Sequence, residues 1–144
     1  MDVDADTDLA SSAEFQAFGT ERILLVDDEE LIRNWGSEVL GKAGYTVLSA
    51  ANGEAALEIH QGDPGAIDLV ILDLVMPGMG GKQCLEKLLR IDPEVKVLIT
   101  SGYLIDQQTM GLLEQRARGI VKKPFKVSEL IRAVRGVLDK DWLV

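Results

Sequence analysis

The stretch Ile23-Leu24-Leu25-Val26-Asp27-Asp28-Glu29-Glu30 decides how the rest of the chain is read. Four consecutive apolar residues with charge on either side suit a strand covered on both faces, as in a parallel sheet. The period then changes. Leu31, Ile32, Trp35, Val39 and Ala43 recur at helical spacing as far as Gly44, a residue type suited to ending a helix, so a helix is expected over Glu29 to Ala43.

Working outward, the same alternation repeats. Thr46 to Ala50 reads as strand, Asn52 to Gln61 as a helix capped by Asn52, and Leu69 to Leu72 as strand. Gly80 to Ile91 reads as helix, Val95 to Thr100 as strand and Ile120-Val121 as a short strand. Ser128 to Leu138 closes as a helix capped by Ser128, with Leu130, Ile131, Val134, Val137 and Leu138 as its buried stripe. A helix from Ile105 to Gln115 is weaker, because Gln107, Gln108, Thr109 and Gly111 dilute its apolar face, and low local stability suits a segment that moves. Five strand-helix pairs in strict alternation imply right-handed crossovers and a doubly wound, five-stranded parallel α/β sheet.

Composition narrows the setting. At 144 residues the chain is sized for one domain that buries roughly two-thirds of its unfolded surface. No apolar run approaches the ~18 residues that cross a bilayer, and the start lacks the order of a secretory signal, so the protein is read as cytoplasmic with no membrane partner. Residues 1–20, with Asp2, Asp4, Asp6 and Asp8, read as an acidic flexible leader or linker, 21–140 as the folded domain and 141–144 as a tail. A net charge of -9 without a basic run argues against nucleic acid. Cys84, the single cysteine, sits with Leu85 and Leu88 on a helix face and reads as a buried structural thiol. His60, after Ile59 and with no second ligand nearby in sequence, reads as a surface residue, and Trp142 as docked on the last helix.

In open parallel sheets, ligands bind beyond the carboxyl ends of the strands, where strand order reverses. Asp27-Asp28, Asp73, Thr100-Ser101 and Lys122-Lys123 all fall at those ends. The fold therefore gathers an anionic pocket with one cation opposite, and crowded carboxylates make sense chiefly around a divalent, oxygen-preferring metal. By itself Asp27-Asp28 would be an acidic helix start, favoured by the dipole. Asp73 beside it turns the balance towards metal, and Met76-Pro77-Gly78 supplies a tight turn that exposes the Asp73 carboxylate.

Four motifs, ILLVDDEE, VILDLVMPGMGG, VLITSGY and IVKKPF, in this order over about Glu21 to Leu138, resemble the receiver domain of two-component response regulators. The resemblance implies a flavodoxin-like (βα)5 fold and a signalling role rather than enzymatic turnover. Asp73 would accept a phosphoryl group from a sensor histidine kinase or a histidine phosphotransfer protein. Mg2+ would be held by Asp28 directly, Asp27 mainly through water, the Asp73 carboxylate and the Val75 backbone carbonyl. Lys123, directly before Pro124 and often through a cis peptide in the family, would neutralise the phosphoryl oxygens. Of two adjacent hydroxyls, Ser101 with Gly102 after it matches the family's switch position, which leaves Thr100 to packing. The chain departs from the family at Ile120, where an aromatic ring usually turns inward, so activation is expected to be read through Gly102 to Ile105 with Tyr103 contributing, or not by the fourth helix at all. Val75 and Tyr103 stand where polar side chains can orient water, so slow self-dephosphorylation is expected.

Two other classes stand beside this one. A Mg2+-dependent aspartyl-phosphate phosphohydrolase would carry a second Asp where Val75 stands, and a receiver that has lost phosphorylation would not keep the complete Asp27, Asp28, Asp73, Ser101 and Lys123 set. With only Asp139 to Val144 after the last helix, the chain reads as a stand-alone regulator or as the receiver of a hybrid sensor kinase. The leader and the GTERILLVDDEE junction favour the second. A homodimer stays open.

Overall fold

Five strands form one parallel sheet in the order β2-β1-β3-β4-β5, with connections that carry a helix after every strand. The structure, a computed structural model, describes residues 18–102 and 107–139, the Leu112 side chain excepted. Tyr103, the expected start of the fourth helix at Ile105, Trp142 and most of the leader and tail lie outside the described residues. The strands are β1 (Arg22–Val26), β2 (Thr46–Ala50), β3 (Leu69–Asp73), β4 (Val97–Ser101) and β5 (Gly119–Lys122). The helices are α1 (Glu30–Lys42), α2 (Gly53–Gly62), α3 (Gly81–Ile91), α4 (Gln107–Arg116) and α5 (Val127–Asp139). Among the described residues, no helix is long and apolar enough to cross a membrane.

Alternation along the strands divides the core in two. Leu24, Val26, Val70, Leu72, Val97 and Ile99 face α2, α3 and α4, where Ala56, Cys84, Leu85, Leu88 and Leu113 meet them. Ile23, Leu25, Leu69, Ile71 and Leu98 face α1 and α5, against Leu40, Leu130, Ile131 and Val134. Each such Leu or Ile, fully withdrawn from water, contributes about 1.5–3 kcal/mol, which is why the central strands read as unbroken apolar runs. The sheet order changes direction beside β1, so β1 and β3 flank the switch point where a crevice opens at their carboxyl ends.

Several details differ from the sequence expectation, among them β4, which runs Val97–Ser101 rather than from Val95 to Thr100. Ser128 does not cap α5: the helix begins at Val127, and the Lys126 N–H donates to the Glu129 carboxylate at 2.7 Å. Glu129 reaches back as the acidic half of a capping box does. β5 is four residues rather than two, extended by Gly119 and Lys122. His60 is not on the surface. It is 2% exposed, on the same stripe of α2 as Gly53 and Ala56, with Nε2 at 3.7 Å from the Asp92 carboxylate that follows α3. The Asn52 cap is as expected, its side chain accepting from the Ala55 N–H at 2.8 Å.

At the amino ends of the strands, Arg135 of α5 closes the molecule. Its guanidinium donates to the Phe18 carbonyl at 2.7 Å, the Tyr45 hydroxyl at 3.1 Å, both Glu21 carboxylate oxygens and both Asp139 oxygens. A planar fork with five N–H groups suits such a set. The bond to Arg135 holds the Glu21 carboxyl below its ordinary range.

Candidate functional site

The carboxyl ends of β1, β3 and β5 bring Asp27, Asp73 and Lys123 together. Asp27 follows β1 and is fully buried; its Oδ1 accepts from the Glu29 N–H at 2.9 Å and its Oδ2 from Lys123 Nζ at 2.8 Å. The Asp27 backbone is also fixed, its N–H donating to the Ala50 carbonyl at 3.1 Å and its carbonyl accepting from Arg33 at 2.6 Å. Asp73, last residue of β3, is 4% exposed, 3.5 Å from Lys123 Nζ and hydrogen-bonded by the Val75 backbone N–H. Lys123, one residue beyond β5, precedes Pro124 through a cis peptide, and its own N–H donates to the Ser101 carbonyl at 2.7 Å.

The electrostatics are unbalanced. Burial and the neighbouring Asp27 charge push the Asp73 carboxyl up from 3.8 to about 6, although Lys123 and the Val75 N–H pull the other way. Burial lowers the Lys123 ammonium, but the hydrogen bond to Asp27 and the charges of Asp73, Asp27 and Glu29 outweigh it and hold it above its ordinary value. One ammonium therefore serves several carboxylates. Asp28 stands exposed at the mouth, and one oxygen each from Asp27, Asp28 and Asp73 lie within 4.8 Å of one another. Among the described residues, no other group of three acidic, His or Cys side chains converges in this way. Three converging carboxylates, one of them raised by burial and by its neighbour's charge, fit a hard divalent cation with oxygen ligands.

Both adjacent hydroxyls are buried at this end of β4. The register sets Thr100 directly across from Asp73, and Ser101 across from Lys122, one step of ~3.3 Å nearer the mouth. Val75 is half-exposed at the rim, and Ile120 is half-buried, packed against the α2–α4 side of the core.

Three contributors to the site went unassigned in the sequence. Gly81 opens α3 hard against the end of β3: a Cβ there would collide with the Asp73 carbonyl and the Leu74 backbone, and its N–H donates to the Leu74 carbonyl at 2.9 Å. The Gly80-Gly81 pair before a helical pattern was a signal for such a close approach. Arg33, holding the Asp27 carbonyl, and Glu29, with Oε2 at 4.0 Å from Lys123 Nζ, had no comparable signal.

The sequence model of the family described as response regulator receiver domain matches residues 23–135. The chain is 37% identical over 138 residues to the sensor kinase CckA of Brucella abortus, covering 96% of this chain and 14% of that kinase. The chain thus spans only a small part of that relative. It is 37% identical over 123 residues to sporulation initiation phosphotransferase F of Bacillus subtilis, covering 82% of this chain and 94% of that protein. Among solved structures, response regulator TrrA of Thermotoga maritima, in complex with Mg(2+)-BeF, superposes with a TM-score of 0.73 at 34% identity, covering 82% of this chain and 99% of that one.

Proposed function

The chain belongs to the response regulator receiver domain family of two-component signalling, and from that premise we propose that it accepts a phosphoryl group on Asp73 in a Mg2+-dependent phosphorelay. The observation that carries this reading is the meeting of Asp27, Asp28, Asp73 and Lys123 at one end of the sheet, with the Asp73 carboxyl raised to about 6 by burial and by the Asp27 charge. Such a pocket repels a further anion unless positive charge is added, and a bound Mg2+ would supply that charge. Asp27, Asp28 and Asp73, with the Val75 carbonyl, would hold the metal.

The rest falls to the protein's own groups. An Asp73 oxygen attacks phosphorus in line as the bond from phosphorus to the donor's histidine nitrogen breaks and its electron pair returns to that nitrogen, while the Val75 N–H and the rigid end of β3 hold the carboxylate in place. Lys123 turns from Asp27 towards a phosphoryl oxygen, neutralising charge that the transfer brings in. Ser101, one step nearer the mouth than Thr100, donates its hydroxyl to another oxygen and draws the following loop with it. With Ile120 in place of a ring, the response is carried by Gly102 to Ile105, including Tyr103, and not by a side chain swinging inward on β5. Amide shifts with and without beryllofluoride test this, and no change from Gly102 to Gln115 defeats it.

The donor would be a sensor histidine kinase or a histidine phosphotransfer protein, in keeping with the kinase and phosphotransferase names of the relatives. The setting is cytoplasmic and the output a change of surface, not turnover: Val75 offers neither acid nor base for hydrolysis of small phosphoesters. Incubation with acetyl phosphate and Mg2+ followed by intact-mass measurement is the test. Wild type should gain one phosphoryl group and Asp73→Asn none; a chain that gains none, or gains it equally without Asp73, overturns the reading.

A further inference from the structure

Glu29 brings a fourth carboxylate to the pocket, outside the set of three that converge as metal ligands. It occupies the N-cap position of α1, yet its side chain makes no capping hydrogen bond. Instead its Oε2 lies 4.0 Å from Lys123 Nζ, with the side chain 63% exposed. Its place is fixed by the backbone: the N–H donates to Asp27 Oδ1 at 2.9 Å, and the carbonyl accepts from the Arg33 N–H at 3.1 Å. Beside it opens a cavity of about 470 Å³ whose apolar wall is Ile32, Trp35, Pro124 and Phe125, with Glu29 and Lys123 as its charged members. Lys123 is already closer to Asp27 and Asp73 than to Glu29, so much of the Glu29 charge faces outward uncancelled.

Resting on the acceptor role of Asp73, we propose that Glu29 is a specificity-determining residue that disfavours free acyl phosphates and favours donors whose phosphoryl group sits on a cationic nitrogen. In either case an Asp73 oxygen forms the new O–P bond, while the bond from phosphorus to the leaving group breaks and its electron pair goes to that group. From an acyl phosphate the leaving group departs as a carboxylate, and its growing negative charge beside Glu29 is repelled. From a phosphoramidate the nitrogen already carries its extra proton, and the electron pair of the breaking bond restores a neutral amine. Attraction between that cationic nitrogen and Glu29 assembles the donor on the pocket. Discrimination lies in the charge each donor presents during transfer, which is where a fixed charge changes rate.

The test compares acetyl phosphate with phosphoramidate, each with Mg2+, followed by intact mass for wild type, Glu29→Gln, Glu29→Lys and Glu29→Asp. At low ionic strength, Glu29→Gln should accelerate acetyl phosphate transfer roughly three- to tenfold, the size expected of one solvated charge several ångströms from the reacting group. It should slow phosphoramidate transfer, Glu29→Lys should shift the donor ratio further the same way, and Glu29→Asp should keep the wild-type preference. The differences should shrink towards about 1 M salt, where screening acts over about 3 Å. A donor ratio unchanged across all four proteins, or a change of equal size with both donors, overturns the proposal while leaving Asp73 as acceptor. If wild type takes a phosphoryl group from neither donor, the acceptor reading fails, and the role of Glu29 with it.

Discussion

The two ends of the sheet treat charge in opposite ways. At the amino ends, Arg135 uses its guanidinium on Glu21, Asp139, Tyr45 and the Phe18 carbonyl, and all the charges find partners at hydrogen-bond distance. At the carboxyl ends, among the described residues, Lys123 faces Asp27 and Asp73 at close range, with Glu29 and Asp28 beyond, and burial together with the Asp27 charge pushes the Asp73 carboxyl up. The first arrangement is balanced within the chain; the second leaves carboxylate charge in excess of its one close ammonium. Structural and ligand-binding charge clusters separate on this criterion, although both contain several carboxylates and one base.

The largest effect should be a change of sign between the two ends. In the metal-free protein at pH 8, Asp73→Asn should raise stability by up to about 3 kcal/mol, since a carboxyl raised from 3.8 to about 6 is costly to ionise. Arg135→Leu should lower stability by about 1–2 kcal/mol, as it removes the part-buried hydrogen bonds to the Phe18 carbonyl and the Glu21 carboxylate. Urea unfolding midpoints decide it, and shifts in the same direction for both variants would break the contrast. Next in size, Gly81→Ala should cost about 1–3 kcal/mol through its clash with the end of β3, and should impair phosphoryl acceptance beyond that loss by displacing Asp73. Full acceptance in a destabilised Gly81→Ala protein would detach Gly81 from the site.

The pH dependence sharpens the same comparison. Asp73 is raised, so its favourable contribution is present below its unfolded value and is lost as pH rises through about 6. Glu21 is lowered, so its contribution is present above 4.5 and is lost as pH falls below it. Thermal unfolding without metal should therefore show the pocket's share declining from about pH 4 to about pH 6 and level above that, and the Arg135 share declining only in acid. Stabilisation by Mg2+ should grow across pH 5 to 7, because the metal binds the ionised carboxylate; stabilisation independent of pH would place the metal away from Asp73. The smallest effect is kinetic. Val75→Asn should shorten the phosphoryl lifetime a few-fold, roughly 0.5–1 kcal/mol of barrier, and a longer lifetime would show that the side chain at this rim position does not orient water.

What could be read from the chain follows how local the signal is. The β1 and β3 runs stand out because strands buried on both faces admit no polar residue until they end, and the residues at those ends are the ones the site uses. His60 looks exposed beside Ile59 in sequence, but the helical stripe that buries it runs through Ala56, four residues earlier. The cap of α5 was missed because Glu129 satisfies a donor three residues before itself, at Lys126, rather than at Ser128. Arg135 could not have been found at all: Phe18, Glu21 and Tyr45 lie 117, 114 and 90 residues away in sequence, and only folding brings them together.

Arg135 also sets the polarity of the domain as an attachable part. Phe18, ahead of β1, and Asp139, at the end of α5, are pinned to one guanidinium at the pole opposite Asp73. A covalent tether at either place would pull on that rivet and leave the acidic mouth turned outward, so the two poles can carry attachment and access separately.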